Sequence, residues 1–409
     1  MLSELFKSRA RIQALRDRPA GSLVESFAQA LSESGYKTRV VRKHLRAVEH
    51  FIYWTRRHSI PVCKWNEQSL ARFDRYLSRC HYRHTRRLEV VHGTRLFLAH
   101  LQEARIITLS SVGSSDHDSG LLSAFCQWMR RQRGSSDKTL STYGTYIREL
   151  LRRLGEEPNC FDAHSLRAFV LEKSRSYGSA TAQQCTKALR MFLRFLIADG
   201  QCRAELDAAL PTVAHWRLAS LPRYLPPEDV ERLIASCDRA SAVDRRDRAI
   251  LLLLARLGLR VGDIVHLRLS DIDWKGASIQ VSGKGRRHTR LPLTQEVGQA
   301  IAAYLKKGRP RTNADTVFVR SRAPIRAFGS SCAVTDIVDK AFRRSGVVRP
   351  GRGGAHLLRH ALATSMLRQG VSLEDIAAIL RHQSIETTQI YAKVDLPSLR
   401  EIAQPWPGV

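Results

Sequence analysis

HLLRHALATSMLRQG, residues 356–370, places a histidine, an arginine and a second histidine within five positions beside an otherwise apolar run. His356 and Arg359 are three apart, so on a helix they share one face. The preceding GRGGA, 351–355, puts His356 at a helix start, where free backbone N–H groups favour anions. An arginine and a histidine presented there suit a phosphate oxygen. The stretch therefore predicts a mainly helical domain that offers a cationic cluster to a phosphate.

Working outward, the same part of the chain supplies further candidates. In ARLGLR, Gly258 stops a helix and leaves Arg260 on a loop. ASIQVSGKGRRHTRLPL, 277–293, reads as a hairpin with alternating residues around a Gly-Lys-Gly tip that carries Lys284. SGKGRR is not a phosphate loop, because the first glycine is missing at the required spacing and Gly285 follows the lysine. SLED, 372–375, is a capping box that opens another helix. His382 follows, and Tyr391 comes nine residues later, across a break at RHQS and into a new helix, IETTQIYAKV.

Composition says what such a cluster would meet. The 409 residues carry 67 Lys and Arg against 38 Asp and Glu, a net charge of +29 spread along the whole length. That spread suits a body surrounding a polyanion, with nucleic acid the expected partner, more than a basic tether. Eight scattered cysteines without a CxxC pair fit a reducing cytoplasm. CHYRH (Cys80, His81, His84) lacks a second ligand pair at zinc spacing and reads as a basic helix surface. The apolar run AILLLLA, 249–255, is too short to span a bilayer and reads as a buried helix, and no membrane association is expected.

Two stretches rich in Ser, Gly and Pro, SSVGSSDHDSG at 110–120 and LPTVAHWRLASLPRYLPPED at 210–229, divide the chain into three pieces. The first two look alike. LVESFAQAL matches LLSAFCQWM, SLARF matches SLRAF, and LFLAHL matches MFLRFL, at offsets of 98, 96 and 95 residues. They are expected to be two copies of one small helical domain with four or five short helices each. Basic residues opposite their apolar stripes, such as Arg42, Lys43, Arg46, Lys187, Arg190 and Arg194, are expected to track phosphates.

The segments ARLGLRVGDIVHL, VSGKGRRHTRLPL, HLLRHALATSMLRQG and LRHQSIETTQIYAKV resemble, in order and spacing over about the last 190 residues, the tyrosine recombinases of the phage integrase family. The resemblance implies two helical SAM-like domains, at 21–107 and 120–205, followed by an α+β catalytic domain at 223–409 with a small hairpin. Residues 1–20 form an N-terminal segment, and 108–119 and 206–222 are linkers. Arg260 resembles the first catalytic arginine and Asp263 its acidic support. Lys284 resembles the hairpin lysine, His356 and Arg359 the HxxR pair, His382 the late histidine and Tyr391 the nucleophile, with His360 in a supporting role. Position 381 is arginine where many members have glycine; glycine closes a helix easily because it accepts positive φ and arginine does not, so the backbone around His382 is where a departure from the family geometry is expected.

The chemistry implied is coherent. A tyrosine nucleophile conserves the phosphodiester bond energy as a phosphotyrosine that a second DNA end can attack. Two arginines and histidine donors stabilise the phosphorane, and a lysine protonates the departing 5′ oxygen. Neither a metal nor another cofactor is expected. The family pattern further implies a homotetramer, with related recombinases as possible co-members, working through a Holliday junction. It also implies a tail, DLPSLREIAQPWPGV, that docks on a neighbour or packs on its own domain. Integration or transposition of a mobile element is the expected role. The alternatives are a type IB topoisomerase-like relaxing enzyme and a catalytically silent DNA-binding regulator.

Overall fold

The computed structural model describes residues 2–6, 9, 12–13, 20–80, 84–107, 120–212, 223–238, 240–282, 288–351, 353–382 and 384–394. They form two compact units, one of residues 1–110 together with 220–409 and the other of 111–219. Most of both linkers, and the whole of DLPSLREIAQPWPGV, lie outside the described residues, as do His81 and the side chain of His84.

The internal repeat is visible element by element. Helices Gly21–Glu33, Thr38–Arg57, Glu67–Arg79 and His84–Glu103 run with a 3-10 turn, Val62–Lys64, between the second and third. In the other unit, Gly120–Arg133, Asp137–Leu154, Ala163–Ser176 and Ser179–Ala198 run with a 3-10 turn, Pro158–Cys160, in the same place. The aligned residues do equivalent work. Phe27 packs edge-on against Phe97 at 5.2 Å, and Phe125 against Phe192 at 5.5 Å. Asn66 accepts the Ser69 N–H and Asp162 the Ser165 N–H, each capping the third helix of its set.

The basic faces are only partly free. Arg42 donates to the Leu5 carbonyl and Lys43 pairs with Glu89. Arg190 donates to the carbonyls of Asp207 and Leu210, and Arg194 pairs with Asp207 at 2.9 Å. Several of these cations fasten neighbouring segments, because carbonyl and carboxylate oxygens lie within hydrogen-bond reach of them. Lys43 and Arg46 still line an open cavity of 260 Å³ with His50 and Arg86.

In the last portion, helix Ala242–Arg256 is central. Ser241 caps it by accepting the Asp244 N–H, and residues Ala249 to Ala255 are buried on every side. Each such leucine contributes about 2 kcal/mol of transfer free energy. Helices Pro227–Ala235, Gln295–Lys307, Cys332–Ser345 and Gly354–Arg368 pack around it. A three-stranded antiparallel sheet, β1 (Ile272–Asp273), β2 (Ser278–Ser282) and β3 (His288–Pro292), lies beside them in the order β1-β2-β3. The expected hairpin is β2–β3, registered from Ser278 opposite Pro292 to Ser282 opposite His288. Strand β1 was not legible, because two residues carry no periodicity. No helix among the described residues is long and apolar enough to cross a membrane.

Candidate active site

Gly258 ends the central helix with φ +58, a conformation that costs an L side chain energy. A Cβ there would also stand 2.8 Å from the Leu380 side chain. Glycine thus serves both the turn and a close approach of two helices. Two residues on, Arg260 opens helix Val261–His266. The Asp263 carboxylate accepts the Arg260 backbone N–H at 2.9 Å, which fixes the helix start. The Arg260 side chain reaches back and donates to the Arg381 carbonyl at 2.8 Å.

Helix Gly354–Arg368 presents the histidine–arginine pair. Gly354 lies against Val338 and Phe342, where a Cβ would stand 2.9 Å from the valine, so the helix start is pressed onto helix Cys332–Ser345. His356 is solvent-accessible on the first turn. Desolvation on its protein side, then the Arg359 and Arg260 charges, lower its pKa. Arg359 is 5% exposed and donates to two carbonyls, those of Gly258 and Leu380. Burial, then Arg260 and Arg381, lowers its pKa to about 10, so it remains a cation at neutral pH. His360 faces Tyr391: its Nδ1 is 2.8 Å from the phenol oxygen.

The SLED cap forms, with helix Leu373–Leu380 beginning at Ser372, whose Oγ accepts the Asp375 N–H. Asp375 is one methylene shorter than the usual Glu, and its carboxylate accepts from the serine hydroxyl. The helix ends with the Arg381 N–H on the Ala378 carbonyl and the His382 N–H on the Ala377 carbonyl, a Schellman pair. Arg381 therefore takes the left-handed conformation, φ 54 and ψ 49. The sequence reading held that arginine would not accept it. The residue does so because its side chain is tied to Asp263 at 2.5 Å, while its carbonyl holds Arg260.

His382 Nδ1 is 2.7 Å from the buried Thr388 hydroxyl, so Nε2 is the nitrogen left for another partner. Burial, then Arg359 and Arg260, lowers the His382 pKa to about 4. The segment expected as one new helix is instead two 3-10 pieces, Ile385–Thr387 and Gln389–Val394. Clustered Ile and Thr disfavour a continuous α-helix, and 3-10 turns are used in short pieces. Tyr391 is 1% exposed. Burial raises its pKa to about 12, against the lowering influence of Arg359. His360 is neutral, lowered to about 4 by burial, then by His356 and Arg359. Between these groups, proton transfer from phenol to imidazole is far uphill. His360 orients the phenol and does not hold its proton.

Arg260, Asp263, His356, Arg359, His360, His382 and Tyr391 are thus brought together by the ends of four elements. Lys284, expected at the hairpin tip, lies outside the described residues. Arg381 and Thr388 are functional candidates whose roles the sequence did not reveal. A threonine in TTQIY reads as an ordinary half-apolar position, and only the fold puts its hydroxyl on His382. Among the described residues no group of three or more His, Cys, Asp or Glu could hold a metal ion. What the arrangement can do is bind one phosphate with several guanidinium and imidazole donors beside a phenol.

Comparison with known proteins gives a consistent result. Residues 223–396 match the phage integrase family, and residues 122–200 its N-terminal SAM-like domain. The putative integrase/recombinase y4rA of Sinorhizobium fredii is 36% identical over 400 residues, 95% of each chain. The tyrosine recombinase XerC of Thermodesulfovibrio yellowstonii is 29% identical over 286 residues, 68% of this chain and 93% of that one. In fold, the chain is similar to XerH site-specific recombinase bound to a palindromic difH substrate. The TM-score is 0.56 and the identity 20%, over 70% of this chain and 84% of that one.

Proposed function

The chain belongs to the phage integrase family, the tyrosine recombinases, and from that premise and the site geometry we propose how it acts. It is a site-specific recombinase that binds double-stranded DNA and seats one scissile phosphate among Arg260, His356, Arg359 and His382. The Tyr391 oxygen attacks phosphorus, the bond to the 5′ oxygen breaks, and a 3′-phosphotyrosine remains with a free 5′ hydroxyl. Lys284 gives the leaving oxygen its proton. The developing charge is met by preorganised guanidinium and imidazole donors. The 5′ hydroxyl of another cut strand then attacks the phosphotyrosine, restoring a phosphodiester and releasing the phenol.

The observation that carries this reading is the meeting of Tyr391 with the His356–Arg359 helix through His360, at 2.8 Å. In the free protein the phenol is protonated, its pKa near 12. The proton therefore leaves as the new oxygen–phosphorus bond forms and the phenol oxygen becomes an ester oxygen, and it passes to water. Asp263 serves by holding the turn of Arg260. The divisions at 21–107, 120–205 and 223–409 are the proposed working domains. Assembly is proposed as a tetramer on two paired sites, as in lambda integrase bound to a Holliday junction as a tetramer, a protein that shares the fold with a TM-score of 0.51. Integration or transposition is the proposed role, and an integrase of the transposon Tn1549 also shares the fold, with a TM-score of 0.51.

The test uses nicked duplexes from DNA flanking the gene, mixed with the full chain and denatured in SDS. A covalent adduct with the wild type and none with Tyr391→Phe is the expected result. Adduct formed by Tyr391→Phe at the wild-type rate refutes the assignment of the nucleophile.

A further inference from the structure

Arg381 is a buried cation with more donors than partners. Its side chain is 6% exposed, and only one nitrogen, Nη2, is used, on Asp263 at 2.5 Å. Nε and Nη1 are buried without a hydrogen-bond partner among the described residues. An unmet donor on a buried charged group costs a few kcal/mol, so a chain does not keep two without compensation. The backbone adds to the cost: a left-handed arginine is worse than glycine there by about 1 kcal/mol.

The surroundings show what would compensate. The end of helix Leu373–Leu380 gathers three guanidiniums. Arg359 donates to the Leu380 carbonyl, Arg260 to the Arg381 carbonyl, and Arg381 to Asp263. Asp263 is the one carboxylate in this set of contacts, so three cations face one anion. Arg381 is close enough to lower the pKa of both other arginines. Such a set repels itself until a further anion enters.

We propose that Arg381 is a third working cation of the phosphate site, its two free nitrogens and its charge directed to the anion that Arg260 and Arg359 also hold. This rests on the reading that the pocket receives a scissile phosphate. Asp263 then has a second task. Besides holding the start of the Arg260 helix, it fixes the Arg381 guanidinium through Nη2 and leaves Nε and Nη1 unused.

Arg381→Gly is the decisive variant. Glycine accepts the left-handed turn, so the Schellman end is preserved while the guanidinium is lost. Adduct formation is measured on two nicked duplexes that differ at one atom: one has an ordinary scissile phosphate, the other a methylphosphonate there. The methylphosphonate lacks one non-bridging charge and needs less cationic help. On the ordinary phosphate, adduct formation by Arg381→Gly is expected to fall on the order of a hundredfold, the cost of one lost donor to a developing anion. On the methylphosphonate it returns to within about threefold of the wild type, a recovery that disturbed packing would not produce. Arg381→Lys, which keeps the charge without the fork, falls between the two. A glycine variant as active as the wild type on the ordinary phosphate overturns the proposal. So does one equally impaired on both duplexes, which marks Arg381 as a packing residue. Wild-type adduct with any of these results leaves the recombinase reading standing. No wild-type adduct on either duplex removes both.

Discussion

Replacing Arg359 with methionine tests whether this residue is kept for chemistry or for the fold. The side chain joins two helix ends, donating to the Gly258 and Leu380 carbonyls, and is 5% exposed. A hydrogen bond from a charged donor is worth about 1.5–3 kcal/mol, so losing both costs about 3–6 kcal/mol. Against this stands the cost of burying the charge. The fall in pKa from 12.5 to about 10, led by desolvation, amounts to roughly 3 kcal/mol against the charged form. Methionine keeps most of the volume and removes that term. The two effects nearly cancel, so Arg359→Met should lose between about zero and 3 kcal/mol. In a domain of this size that is a fall in Tm of no more than about 10 °C. Adduct formation should fall on the order of a thousandfold, because a donor to the developing phosphorane is gone. Thermal unfolding and the SDS adduct assay on the same preparation give both numbers. A variant losing more than about 5 kcal/mol would refute the cancellation and make Arg359 chiefly a structural tie. A stable variant retaining a tenth of wild-type adduct would refute its role at the phosphate.

Three further outcomes follow from the geometry. Tyr391→Phe breaks the 2.8 Å contact with His360 and should lower stability by only about 1 kcal/mol in denaturant unfolding, while abolishing adduct. His360 and His382 are held near pKa 4, below the usual value for unfolded histidine. The unfolded chain therefore binds more protons between about pH 6.5 and 4. Stability, read by unfolding midpoints, should fall as pH is lowered through that window and be flat above it in respect of these two groups. Gly258→Ala meets both a positive φ and a Cβ 2.8 Å from Leu380, and should cost about 2 kcal/mol or more in thermal unfolding, with cleavage falling in parallel as the turn before Arg260 and the carbonyl that holds Arg359 are displaced.

The sequence by itself marked which residues to look for at the site and where most of the helices begin and end. Spacing alone set His356 beside Arg359, and Gly258 marked the turn before Arg260, because glycine at a helix end has a local cause. The repeat was legible for the same reason: matched phenylalanines and matched caps such as Asn66 and Asp162 are one-dimensional signals. Tertiary structure decided what the charges do. Arg190 and Arg194 read as a phosphate-tracking face, and in the fold they also fasten residues 207–210, through carbonyl and carboxylate oxygens that no periodicity marks. Arg381 read as an awkward substitute for glycine. Only the approach of helix Leu373–Leu380 to Asp263, 118 positions away in sequence, makes it a held cation. Likewise the partner of Tyr391 is His360 and that of His382 is Thr388, pairings fixed by chain crossings and not by spacing. Local backbone signals are written in neighbouring residues, whereas the fate of a guanidinium or an imidazole depends on which distant oxygen the fold brings to it.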